Sequence, residues 1–470
     1  MVQAVRLLAE ALGCSRRLQG LQAQVAPHMK YRQGRFDWTY LILAIPVLAS
    51  SWPWIAYRVR PVLFFVLVAT WAIVTPKRKV VIERPVVFTK VFLCLACTLV
   101  GYACVQIVFA VFGYGDFPMR QVWTQALIQG SMLLVPYLSF KYGKMRELRF
   151  VTLVYLLGIC LTAYSTYGAS QTFDGAEFSR ALTYANTASY DELERAYLGK
   201  MHGIGGYEYM YTMALLIPIV LLSFLPFKTK RLMFRGGLAF VLCLSAFVCL
   251  KNSGLGTPFL VLAVGMLMAF GDFFTVRRFG LSKIGAFVLA GYVLFIVAPV
   301  VYSPLAPLMR AVGELAPEGK SIQIRCNWIA DMISGDKESY ANRRYDLQRL
   351  SWHGFLERPI FGGGAYNPGF TESTLKCGGH SMLLDLLAKE GLIGFVFYVL
   401  YFVLLYRFYR LLPKSILGRG WPNPGIVYIF SFIVASIANP FNTFLSLAYF
   451  LPGIVMVIRN PKLEIMESCG

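Results

Sequence analysis

Long apolar runs follow one another along most of this chain, near residues 38–56, 60–75, 86–112, 121–140, 150–167, 207–227, 233–250, 258–274, 284–302, 391–412, 425–438 and 443–458. Crossing a hydrocarbon core of about 30 Å takes a helix of about 20 predominantly apolar residues, and these runs are of that order. A soluble fold cannot hide so much apolar surface: 57% of the residues are hydrophobic and only 15% are charged. The expectation is an all-α, polytopic membrane protein with about twelve transmembrane helices.

A net charge of +21 raises the question of nucleic acid, which its placement answers. The cations sit in short connectors: Lys77, Arg78, Lys79 and Arg84; Lys141, Lys144, Arg146 and Arg149; Lys228, Lys230 and Arg231; Arg277, Arg278 and Lys283; Arg407, Arg410, Lys414 and Arg419. Charge divided among alternate hairpins is the pattern of positive-inside topology, and it lacks the single patch with interleaved aromatics that a nucleic-acid surface needs. Both termini are then expected in the cytoplasm, with loops 168–206 and 303–379 facing outward.

The first apolar run follows a long polar start, which is not the layout of a cleavable signal peptide. Residues 1–28 read either as an amphipathic helix on the inner membrane face, with Val2, Val5, Leu8 and Leu12 beside Arg6, Arg16 and Arg17, or as an extension ahead of a membrane-protein start at Met29. Residues 29–470 read as one membrane domain. Cys94 and Cys97 read as packing residues of a helix rather than redox or zinc ligands. Cys326 and Cys377 are the two cysteines placed outside, where an oxidising compartment would let them pair.

The polar mass gathers in the two outer segments. Ile322–Met332 and Arg344–Leu356 each space apolar residues at three and four, Leu347, Leu350 and Phe355 in the second, so both read as amphipathic helices laid on the membrane domain. Pro359 ends the second one. Gly362, Gly363 and Gly364 permit a tight turn or a close approach to ligand. His380 follows Gly378 and Gly379 at the mouth of the next helix, which Ser381 is placed to cap. Asp385 and Glu390 lie on that helix, where charge is costly and needs a partner or a cavity.

Two of these stretches carry a family likeness. His380-Ser381, nine residues, then Gly391-Leu392-Ile393-Gly394, with Arg358-Pro359-Ile360-Phe361-Gly362-Gly363-Gly364 upstream, resembles the signature block of the O-antigen ligase and O-antigen polymerase superfamily. The resemblance implies a fold similar to the C-type glycosyltransferases, in which two outer segments roof a cavity open to lipid. It implies a polyprenyl-diphosphate-linked oligosaccharide donor, a glycan acceptor, membrane lipids and a chain-length regulator as partners, and no cofactor. It also implies a bacterial inner-membrane location with the active site on the outer face.

Carried onto this chain, the family's histidine is His380, which contacts or activates the acceptor hydroxyl; a neutral imidazole with a pKa near 6.5 suits that task. A second reading leaves His380 as a helix-capping side chain. The family's outer-loop arginine maps to Arg343 or Arg344, and a guanidinium fork neutralises a diphosphate leaving group at any pH without a metal. Arg195, Arg180, His202, Arg349, Arg358, Gly363 and Ser381 are the further substrate-binding candidates, while His353 looks like a packing residue. For each arginine the competing reading is a solvated or headgroup-binding side chain. No D-x-D pair, Walker loop or Ser-His-Asp spacing is present. The expected function is a polysaccharide polymerase. A ligase acting on a lipid A core or protein, and a flippase, are the alternatives; a transporter would carry its polar residues in mid-membrane at discontinuous helices.

Overall fold

The computed structural model describes residues 36–59, 61–75, 84–111, 119–172, 203, 207–224, 232–252, 257–270, 305–314, 327, 330, 340–363, 381–417, 423–438 and 445–459. They belong to one compact unit, Phe36–Pro461. Among them every regular element is helical, which agrees with the all-α expectation. After a 3-10 turn at Trp38–Leu43 come α1 (Ala44–Ser51), α2 (Pro53–Arg58), α3 (Pro61–Val74), α4 (Pro85–Val111), α5 (Met119–Lys141), α6 (Met145–Thr172), α7 (Tyr207–Phe224), α8 (Leu232–Asn252) and α9 (Thr257–Phe270). The second half holds α10 (Leu305–Glu314), α11 (Tyr340–Glu357), α12 (Met382–Leu411), α13 (Lys414–Leu417), α14 (Pro424–Ala438) and α15 (Leu447–Arg459).

Within the described residues, Pro85–Val108, Met145–Gly168 and Met382–Leu411 are long and apolar enough to cross a membrane. Shorter apolar helices stand at Trp38–Ser51, Val62–Val74, Tyr209–Phe224, Thr257–Ala269, Pro424–Ile437 and Leu447–Arg459. The expected span at 284–302, most of the outer helix expected at 322–332, and the extension 1–28 lie outside the described residues.

Lipid offers no hydrogen bonds, so buried hydroxyls must find partners within the protein. Tyr398 Oη donates to Ser436 Oγ at 3.0 Å, Tyr401 Oη to Tyr449 Oη at 3.1 Å and Tyr409 Oη to the Ala448 carbonyl at 2.6 Å, tying α12 to α14 and α15. On the other flank, Phe88 of α4 stacks on Phe408 of α12 with centroids 5.2 Å apart, and Tyr137 of α5 stacks on Phe92 at 3.7 Å. Helix α12 is thus held on two sides. Cys94 and Cys97 are free and exposed on α4, so their spacing puts two small thiols on the outward face and not, as expected, in the packing.

Basic residues lock one end of the bundle. Arg459, at the end of α15, donates to the Leu222, Ser223 and Ile416 carbonyls at 3.0, 3.2 and 3.3 Å, completing the C-terminus of α7, a role a guanidinium fills well. Arg235 Nη1 reaches the Arg459 carbonyl at 3.0 Å. Nearby in sequence to the α6 start, Lys144 Nζ meets Asp37 Oδ2 at 2.6 Å, both side chains being over nine-tenths buried. Asp37 also caps the 3-10 turn, accepting from Thr39 N at 3.2 Å and Thr39 Oγ1 at 2.7 Å, while its own N–H donates to Glu147 Oε1 at 3.0 Å.

Burial alone would raise the Asp37 carboxyl, but the bonds from Lys144 and Thr39 outweigh it and the net shift is downward from the ordinary 3.8. A depressed folded-state pKa contributes stability that is present above the unfolded value and is lost as pH falls through the folded one. Asp37→Asn should therefore lower the unfolding temperature of the detergent-solubilised protein at pH 7. Removing one partner of a buried pair costs roughly 3 kcal/mol. The gap from wild type should close as the pH is taken below the ordinary carboxylate range, and a gap independent of pH would contradict the assignment.

Candidate functional site

Helix α12 is broken where its Gly-x-x-Gly begins. Ser381, extended at φ −149° and ψ 113°, caps it by accepting from Leu384 N at 3.3 Å, as its position predicts. Ten residues later Gly391 takes φ 63° and ψ −157°. Those angles lie outside the helical region and belong to glycine. A break of this kind orphans the N–H groups just after it and a carbonyl just before it, because their partners four residues away are lost. Inside a membrane domain that is not tolerable unless another segment supplies replacements.

The Arg358–Gly363 turn supplies three. Leu392 N donates to the Pro359 carbonyl at 2.8 Å, Ile393 N to the Ile360 carbonyl at 3.3 Å, and Gly363 N donates to the Ala388 carbonyl at 2.7 Å. The turn closes on itself through Gly362 N to the Arg358 carbonyl at 2.8 Å, with Gly362 at φ 72°. Backbone here lies on backbone. A Cβ on Gly362 would run into the Lys389 carbonyl, and one on Gly391 into the Ile360 carbonyl, with Gly362 N at 2.6 Å. The two motifs that look separate in the sequence form one structural unit.

Side chains extend the same joint. Ser351, on the buried face of α11 between the half-buried Leu347 and Phe355, donates to Asp385 Oδ1 at 2.7 Å. Asp385 Oδ2 accepts from Ser381 N at 3.4 Å, so one buried carboxylate joins α11 to the mouth of α12. Ser381 Oγ also donates to the Ser436 carbonyl of α14 at 3.5 Å. Immediately before the break, Glu390 turns its Oε1 toward α4, where Tyr102 Oη and Gln106 Nε2 donate at 3.0 and 2.9 Å. Tyr102 and Gln106 stand four residues apart, on one helix face. The expected partner for intramembrane charge is therefore found for both acids.

Of the expected site residues, Gly363 and Ser381 are brought together with Asp385 in this joint. Arg358 ends α11 exposed, and Arg349 is exposed with its Nε 3.4 Å from His353 Nε2. His353 is exposed as well, so the packing role expected of it is corrected: it falls on the face of α11 turned away from Ser351. Arg343 and Arg344 lie near the start of α11, about two turns before Ser351, with their side chains outside the described set. His380, Arg195, Arg180, His202, Gly364, Cys326 and Cys377 lie outside the described residues. Ser351, Tyr102 and Gln106 were not anticipated. Ser351 carried one sequence signal, a hydroxyl amid the apolar spacing of α11.

Residues 238–399 match the family model described as O-antigen ligase. That stretch contains α11, the Arg358–Gly363 turn, Ser381 and the break in α12. Over that stretch, about a third of its length, the chain is similar to the O-antigen ligase family. No curated protein matches the chain. Members of that family are glycosyltransferase-like enzymes with lipid-linked glycan substrates, and the apolar helices of this chain are those of an integral membrane protein.

The joint makes a sharp demand on both glycines. Gly362→Ala and Gly391→Ala should each lower stability, by about 1–3 kcal/mol for the positive φ alone and by more through the backbone clash. Gly363→Ala should be milder, since its φ is not in the left-handed region. Thermal unfolding of the three purified variants tests the order.

Proposed function

We propose that the protein is an inner-membrane glycosyltransferase that polymerises a bacterial surface polysaccharide, moving a glycan from a polyprenyl-diphosphate donor to a sugar hydroxyl of the acceptor. The observation that carries the reading is the joint itself: Ser351–Asp385 and the Arg358–Gly363 turn hold the helix bearing Arg343 and Arg344 against the helix mouth next to His380. In this scheme Arg343 or Arg344, aided by Arg195 or Arg180, neutralises the diphosphate. His380 accepts the proton of the acceptor hydroxyl as its oxygen bonds to the anomeric carbon. The bond from that carbon to the diphosphate oxygen breaks, polyprenyl diphosphate leaves with its charge held by the arginines, and the configuration inverts. No metal or cofactor takes part.

The topology of this reading has about twelve spans, with loops 168–206 and 303–379 outside. Its support is the separation of the joint from the cluster around Arg459, which stands near Ile416 past the other end of α12. From Gly391 to Leu411 a helix rises about 30 Å, one hydrocarbon thickness, and the end rich in cations belongs inside. A ligase is the second reading. It differs in the acceptor, a lipid A core or protein.

Deleting the gene separates the two: single-repeat products on the carrier lipid mark a polymerase, and full-length polymer left on the carrier marks a ligase. Intact single repeats accumulating on the cytoplasmic side would instead mark a flippase. His380→Ala should leave membrane insertion and protein level unchanged while abolishing transfer; normal product would remove His380 from the scheme. Either Arg343→Lys or Arg344→Lys should lose most activity although charge is kept, because bidentate phosphate binding needs the guanidinium fork. Activity of the purified protein on lipid-linked donor should survive excess chelator, and loss reversed by added magnesium would contradict the metal-free scheme.

A further inference from the structure

Helix α11 has three faces, not two. At about 3.6 residues per turn, Leu347, Ser351 and Gly354 share the side laid on the protein, where Ser351 and Gly354 are buried. The exposed remainder divides again. Asp346, His353 and Glu357 line one flank, at spacings of seven and four residues. Trp352 and Leu356, four residues apart, line the other, 44% and 54% exposed. Arg349 lies between the two flanks. The apolar lane does not stop with the helix: Ile360 and Phe361 in the following turn are 56% and 60% exposed.

That turn is the one whose carbonyls bond Leu392 and Ile393 of α12. Beyond the break, α12 exposes Leu392, Val396 and Val399, one residue per turn along the apolar span. The exposed apolar residues of α11 and its turn thus lie on a segment bonded directly to α12 where that helix begins its own exposed apolar stripe. An amphipathic helix with an apolar flank, a charged flank and an arginine between them fits the boundary between headgroups and acyl chains. Trp352 is of the residue type enriched at that level.

We propose that the outer helix α11 and the turn after it form an interfacial anchor, with Trp352, Leu356, Ile360 and Phe361 immersed among the acyl chains of the outer leaflet and Arg349 and Arg358 at the phospholipid headgroups. The segment that the sequence presents as an extramembrane roof is then partly in the bilayer. Its partner is phospholipid. The inference rests on the membrane reading above but not on the reaction assigned to the protein.

Photocrosslinking in phospholipid vesicles tests it. Phe361→p-benzoylphenylalanine and Leu356→p-benzoylphenylalanine should each give a protein–phospholipid adduct by mass spectrometry, several-fold above the yield from Asp346→p-benzoylphenylalanine on the charged flank. Val396→p-benzoylphenylalanine reports on the span itself. Lipid adducts at 396 with none above the 346 level at both 361 and 356, or adducts there to another part of the protein, overturn the anchor and leave the membrane reading standing. Absence of lipid adducts at 396 as well overturns both. Equal yields at 346 and 361 would show that the face is not divided, and would also overturn it.

Discussion

The backbone exchange at Gly391 is the interaction on which the arrangement around the site depends. A helix that simply continued from Ser381 to Leu411 would satisfy its own peptide groups and would need nothing from the preceding loop. The break deprives backbone groups of their helical partners at a position buried in the protein, and each such group left bare costs several kcal/mol. The Arg358–Gly363 turn cancels that cost because Pro359 and Ile360 present carbonyls and Gly363 presents an N–H in the complementary order. Loop and helix therefore fold as a pair.

This coupling joins parts of the matched segment that lie far apart in sequence. A loop joined only by side chains could drift by an ångström, enough to lose an oriented proton transfer. Three backbone bonds and the Ser351–Asp385 bond fix α11 in height and rotation against the mouth of α12, and Glu390 with Tyr102 and Gln106 fixes α12 against α4. Asp385 sits in the first turn, where the helix dipole also favours an anion. Both acids of this helix, Asp385 and Glu390, are bonded into the frame.

Much of this frame was legible in the sequence, and the illegible part has a physical cause. Apolar runs located the helices well: the expected 233–250 is Leu232–Asn252, and the expected 425–438 is Pro424–Ala438. Local chemistry also spoke for itself, since Ser381 caps α12, Pro359 follows the end of α11, and Gly362 makes a tight turn. What periodicity cannot report is pairing between segments. Gly391-Leu392-Ile393-Gly394 reads equally well as a small-residue stripe in an unbroken helix, and only the positive φ at Gly391 turns it into a receptor for the upstream loop. His353 went astray for a related reason. The face of α11 turned inward is centred on Ser351 and Gly354, which leaves His353 on the outward side.

Small residues at the α11–α12 contact have a further consequence for where the outer helix lies. The packed face of α11 is centred on Ser351 and Gly354 with Leu347 half-buried beside them, while the bulkier Trp352 and Leu356 fall on its exposed flank. A flank carrying tryptophan, leucine, isoleucine and phenylalanine in water would be unfavourable at roughly 25 cal/mol per Å² of apolar surface left wet. Beside the lipid-facing stripe of Leu392, Val396 and Val399 the same surface carries no such penalty. Close packing on one side of α11 and immersion on the other are thus two results of a single choice of side-chain size, and together they set the height of the arginine-bearing helix relative to the membrane.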